Sequence, residues 1–386
     1  MTAALLASLL LASQPSVEAL ELDGWHFAAV PLVSYGSDVG LLVGGALVLY
    51  EPLEPDGEDR DQLTLSASYA TRGPRAADAG WDVRRILGSS LRASLNLHLA
   101  DDSRMPYWGE GAGLGGLGIP TGSGTPPVPF RYRDRRVFAS ATLRSLFFGP
   151  LGWHARARFL DVDVAEKSAL LAASAPPGAS GGRVALGEVG LFLDTRDREV
   201  GTRRGAFVSL SAFAVPRIGS LSDFSFHGFD AAARGWLPLL PFVGLAVRGI
   251  YDLKRADDRG VGAPGAVPFF ERMLYEGLSY GEGFGGASTL RGVARYRVSG
   301  EEKALGNLEL AVRVFTSHLA GKTQELGLSA GVDAGWARQP DLAPVHAEGA
   351  AAGLRLIWDR AIVLRVEGAR AVGGENTIYV AFGDLF

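Results

Sequence analysis

The sequence contains no cysteine, so neither a disulfide framework nor a thiolate metal site can form. That lack suits an exported chain. An excess of one charge is missing too: the net charge is -4, which gives nucleic acid no broad basic surface to bind. Long apolar runs are scarce. The best internal candidate for a membrane helix, Trp236 to Val247, is too short and is broken by Pro238 and Pro241. The six histidines show no H-x-x-x-H spacing, and neither metal nor cofactor is expected. Gly111 to Gly116 spells G-x-G-x-x-G, but the stretch after it, "LGIPTGSGTPP", cannot open the helix that a dinucleotide needs. Gly178 to Gly182 spells G-x-S-x-G, yet the small residues around Ser180 form a loop and not a strand-to-helix elbow. No Ser/His constellation emerges, so no enzymatic activity is expected.

Glycine, in contrast, is abundant, at 52 of 386 residues against the roughly 7% usual in proteins. An apolar run from Ala3 to Ala12, followed by Val17-Glu18-Ala19, has the length and small-residue exit of a signal peptide. Its leading residues carry no lysine or arginine. The expected division is a signal peptide over 1–19 and one domain over 20–386.

That domain alternates with period two almost throughout. Leu91, Ala93, Leu95, Leu97 and Leu99 oppose Arg92, Ser94, Asn96 and His98; Leu308, Leu310, Val312 and Val314 oppose Glu309 and Arg313; Leu364 and Val366 oppose Arg365 and Glu367. About sixteen such segments, most of about ten residues or more, fit a transmembrane antiparallel β-barrel. Tight turns such as "FGPLG" and "PLLP" alternate with long connections at 102–129, 166–182 and 255–304. The last is long enough to fold inward before the twelfth strand. Phe147, Phe148, Trp153, Trp236, Phe242 and Trp358 lie beside the tight turns and suggest an interfacial girdle. The final strand, with Tyr379 and Phe382, stops at Phe386 and looks like the assembly signal of bacterial outer-membrane barrels.

With that architecture expected, "TLRGV" (289–293) resembles the signature of the long sixth outer loop in the outer-membrane assembly factor superfamily, the BamA/TamA or bacterial surface antigen type. Leu290 and Val293 depart from the family pattern, so Arg291 and Gly292 carry the match. "DTRDREVGTRRGAF" is similar to the family's periplasmic turn, keeping Asp194, Arg196, Asp197 and Gly205 but not its prolines. Ser329 to Gly335 resembles the strand whose aspartate receives the loop arginine, and Pro31 to Gly45 resembles the barrel opening. The resemblance implies an integral barrel of the Gram-negative outer membrane, in contact with lipid and assembled by the barrel machinery. It also implies that Arg291 docks on Asp333. Relatives that insert or secrete proteins carry POTRA domains, and the expected mature start at residue 20 leaves no room for one here. Two functions therefore stand open: insertion or translocation of polypeptide or lipid, for which a periplasmic client-binding partner would be expected, and a passive pore or structural surface protein.

Elementary chemistry supports the docking. Glycine permits close backbone approach, and a guanidinium forks onto a carboxylate. Gly331 and Gly335 share a face with Asp333 and leave it room. Exchanging the two charges should then restore part of a loss. Arg295 and Arg297 are expected to be solvated or to face the wall.

Overall fold

The computed structural model describes residues 25–382, apart from 52–60, 85, 110–126, 200, 259–265, 276–282, 320–321, 341, 359–361, 373 and 375. The N-terminal apolar run, the Gly111–Gly116 stretch, the side chains of Trp358 and Phe382, and Phe386 lie outside the described residues.

Alternating sequence becomes strand wherever it was expected. In chain order the first eight strands are β1 (His26–Gly36), β2 (Gly40–Tyr50), β3 (Gln62–Ala70), β4 (Pro74–Val83), β5 (Arg92–Pro106), β6 (Arg131–Phe148), β7 (Leu151–Ala165) and β8 (Gly181–Asp194). There follow β9 (Gly205–Val215), β10 (Phe226–Leu240), β11 (Val243–Ala256), β12 (Glu302–Leu319), β13 (Lys322–Arg338), β14 (Val345–Trp358), β15 (Ile362–Ala371) and β16 (Asn376–Phe382). Each pairs antiparallel with its sequence neighbours, and β1 meets β16 to close the barrel. Closure gives every strand a neighbour on both sides, as a membrane core demands. Two short helices, α1 (Ala169–Ser174) and α2 (Phe269–Arg272), sit in outer loops.

The two faces differ as period two requires. Leu95, Leu97, Leu308, Leu310 and Val332 project outward and remain exposed, an apolar surface suited to lipid. The inner faces bury Arg156, Arg158, Lys254, Lys303, Glu309, Asp333, Arg365 and Glu367. Those charges survive burial because the loop between β11 and β12 packs among them.

The aromatic girdle is only partly realised. Phe147, Phe148 and Phe242 are exposed beside tight turns. Trp236 instead points inward and is buried with Phe192 and Phe207. Its neighbours Leu237 and Leu239 take the lipid side, and strict alternation gives Trp236 the lumen.

β1 pairs with β2 along all of its 11 residues, and among the described residues β1 and β16 share Tyr35↔Val380 and Gly36↔Tyr379. A further bond among the described residues, Ile378 N to Ser37 Oγ at 3.4 Å, crosses that seam.

Candidate functional site

The connection between β11 and β12 turns into the lumen and fills much of it. Phe269 and Phe270 of α2 pack against Leu160, Val162, Val184, Phe213 and Phe226 of the wall. Farther along, Phe284, Leu290, Val293 and Val298 join Ile250 and Leu305. Burial of this apolar surface supplies attraction, while ionic contacts supply position.

Arg291 is fully buried and is held by three carboxylates. Its Nε and Nη2 donate to Asp333 Oδ2 and Oδ1 at 2.8 and 3.0 Å, the expected fork. Its backbone N–H also donates to Asp333 Oδ2, at 2.9 Å. Nη1 donates to Glu309 at 2.6 Å and to Glu367 at 3.2 Å. Burial opposes the positive charge, but these partners outweigh it and hold the guanidinium firmly protonated. Asn307 donates to Asp333 at 2.7 Å, and Arg365 donates to Glu367 at 3.0 Å, so the carboxylates are themselves fixed.

Glycine makes the approach possible. A Cβ on Gly331 would lie 2.5 Å from Arg291 Nη2, and one on Gly349 would lie 2.1 Å from Arg291 O. Gly292 has φ +85° and sits against the backbone of Arg370 and Ala371, closer than any side chain would allow. Its N–H donates to the Tyr379 hydroxyl at 3.2 Å. Tyr379, singled out as part of a terminal assembly signal, thus faces the lumen and touches the plug.

Two further anchors come from residues that sequence alone did not single out. Arg295 forms an ion pair with Asp38 in the β1–β2 turn at 2.9 Å and donates to Asp102 of β5 at 3.0 Å. It faces the wall, as one of its two expected placements has it, yet as a second latch and not a spare charge. Glu271 of α2 accepts from Arg158 at 2.8 Å and from Lys254 at 3.2 Å. The signal available for these was the pattern of charge on luminal positions, which marks a docking wall without naming partners.

The β8–β9 turn lies at the opposite end of the barrel from the entry of the β11–β12 connection and reaches across that end. Asp194 grips Arg196 through two bonds at 2.9 and 2.7 Å, and the guanidinium lies 5.0 Å over the Phe207 ring. Asp197 Oδ1 accepts from the backbone N–H groups of Arg203 and Arg204 at 3.0 and 3.3 Å. Gly205, at φ +104°, takes a place where a Cβ would come 2.2 Å from Thr195 O. The four residues of the expected turn motif therefore shape the turn itself.

One arrangement invites a catalytic interpretation that its geometry does not support. His154 Nε2 lies 2.9 Å from Glu188 Oε1 and 3.2 Å from Ser211 Oγ. A catalytic histidine uses one ring nitrogen for the carboxylate and the other for the hydroxyl. Here both partners share Nε2.

No protein-family model matches the sequence, and no curated protein does either. Solved structures do match. BamA from Haemophilus ducreyi lacking POTRA domains 1–3 superposes with TM-score 0.58 at 16% identity, over 94% of this chain and 70% of that one. CdiB from Acinetobacter baumannii gives 0.53 at 14%, over 93% and 60%, and CdiB from Escherichia coli gives 0.59 at 13%, over 94% and 64%. The chain spans less than two thirds of either CdiB. At these identities the likeness lies in the fold: this chain is a closed, sixteen-stranded antiparallel β-barrel similar in fold to those of BamA and CdiB.

Proposed function

We propose that the protein is an integral barrel of the Gram-negative outer membrane that inserts or passes polypeptide or lipid through the seam between β1 and β16. The carrying observation is the junction of the first and last strands, where the described residues of β1 and β16 share two register pairs and the inward loop is anchored on both sides. Backbone bonds hold the two strands together there, and parting them would open the wall sideways. The plug straddles the same line: Gly292 bonds Tyr379 on β16, while Arg295 pairs with Asp38 beside β1. Seam and plug are thus mechanically linked, and a client that moves one disturbs the other. Such a barrel would depend on the barrel assembly machinery for its own insertion and could take clients from a periplasmic binding partner.

The test uses a Tyr35→Cys, Val380→Cys double variant, which a cysteine-free background makes unambiguous. In vesicles, the protein should accelerate insertion of a small unfolded outer-membrane barrel. Oxidation of the pair should abolish that acceleration, and reduction should restore it. Equal activity with the seam locked would overturn the seam mechanism, and no acceleration in any form would favour a structural barrel.

A further inference from the structure

The β8–β9 turn does more than connect two strands. From its base on β8 and β9 it reaches opposite sides of the periplasmic mouth. On one side Glu199 accepts from Arg92 of β5 at 2.9 Å and from Arg84, just after β4, at 3.1 Å, with Arg144 of β6 at 3.7 Å. On the other, Arg203 pairs with Glu325 of β13, and Gly201 lies over Ile357 of β14. Behind the three arginines lies a polar cavity of about 600 Å³, lined by Asp78, Asn96, Ser140, Thr142, Arg144 and other inward residues of β3 to β7.

Each of those arginines belongs to the wall, whereas Glu199 belongs to a turn. Its side chain is 37% exposed, so water already reaches it. Three guanidiniums converging on one carboxylate form an oxyanion site whose present occupant is tethered and able to leave. With Glu199 gone, the three guanidiniums would lose a carboxylate they share, while Asp82 would still bond Arg92 at 2.7 Å and lie 3.7 Å from Arg84. The mouth would then carry a net positive field, which concentrates anions and repels cations.

We propose that residues 195–199 and 201–204 are a displaceable strap, that Glu199 acts as an internal stand-in for a small oxyanion, and that release of the strap opens anion-selective access from the periplasm to the luminal cavity. This does not rest on the seam mechanism; a barrel that never opens sideways could still use the strap.

The chain's lack of cysteine provides a clean reporter. Thr142→Cys places a single thiol in the cavity, and the reconstituted protein is treated with methanethiosulfonates bearing either a sulfonate or an ammonium group. With the strap intact, both reagents should react slowly. Adding Glu199→Gln should raise the rate several-fold, with the sulfonate reagent favoured over the ammonium one. Arg203→Ala, which releases the strap at its other end, should also raise the rate and carries the test if Glu199→Gln fails to fold, as judged by heat-dependent migration. Rates unchanged by both substitutions, rapid labelling with the strap intact, or preference for the ammonium reagent would each overturn the proposal.

Discussion

Arg291 sits where a charge is costly to bury and where three carboxylates would be costlier without it. Arg291→Ala leaves Asp333, Glu309 and Glu367 facing one another, and removing one partner of a buried ionic group costs about 3–5 kcal/mol. The expected result is a plug cut by protease added to intact cells, with a lowered temperature for loss of the compact electrophoretic form. Arg291→Lys should recover only part of this, since an ammonium cannot fork onto Asp333. The exchange Arg291→Asp with Asp333→Arg is expected to restore nothing, contrary to what the pair alone suggests. The new aspartate would meet Glu309 and Glu367. Gly331→Ala should loosen the plug by about 1–3 kcal/mol through crowding against Arg291, measured by the same protease assay. From sequence, the family-like spelling led to Arg291, and period two put Asp333 between glycines. Glu309 and Glu367 were legible as luminal charges but not as partners, because strands β12 and β15 are brought to the same loop only by closure of the barrel.

Among elements, the strap has a pH dependence of determinate sign. Burial alone would raise the Glu199 carboxyl, but Arg92 and Arg84 pull it down, with help from Arg144, to about 2 from an ordinary 4.5. Arg196 on its own turn feels the same charge, and Asp82 shares Arg84 and Arg92. A depressed carboxyl stabilises the fold fully above its unfolded value and loses that contribution as pH falls through the folded one. Wild type should therefore exceed Glu199→Gln in thermal stability by a constant margin from pH 7 to 5. The margin should shrink below about 4.5 and vanish towards pH 2, as thermal melts of the two proteins would show. Strand existence was legible almost everywhere, because side-chain alternation is local. The inward turn of Trp236 was not: proximity to a tight turn suggested the interface, while the face was decided by the register of β10 against β9 and β11.

For the whole molecule, a barrel closed by backbone bonds should migrate as a compact form until heated, and should need detergent for extraction. Recovery in a soluble fraction would defeat this. Sixteen strands could be counted from the sequence, but the register in which the described residues of β16 meet β1 could not, since β16 looks like any other alternating segment. The plug's bonds also impose an order in time. Arg291 and Gly292 take partners at 309, 333, 367 and 379, which a growing chain supplies only after the loop has been made. Arg295 takes partners at 38 and 102, made long before. Arg291 and Gly292 therefore lack a complete set of partners until β16 is in place. A locked plug is thus a record that β12, β13, β15 and β16 have all been laid down.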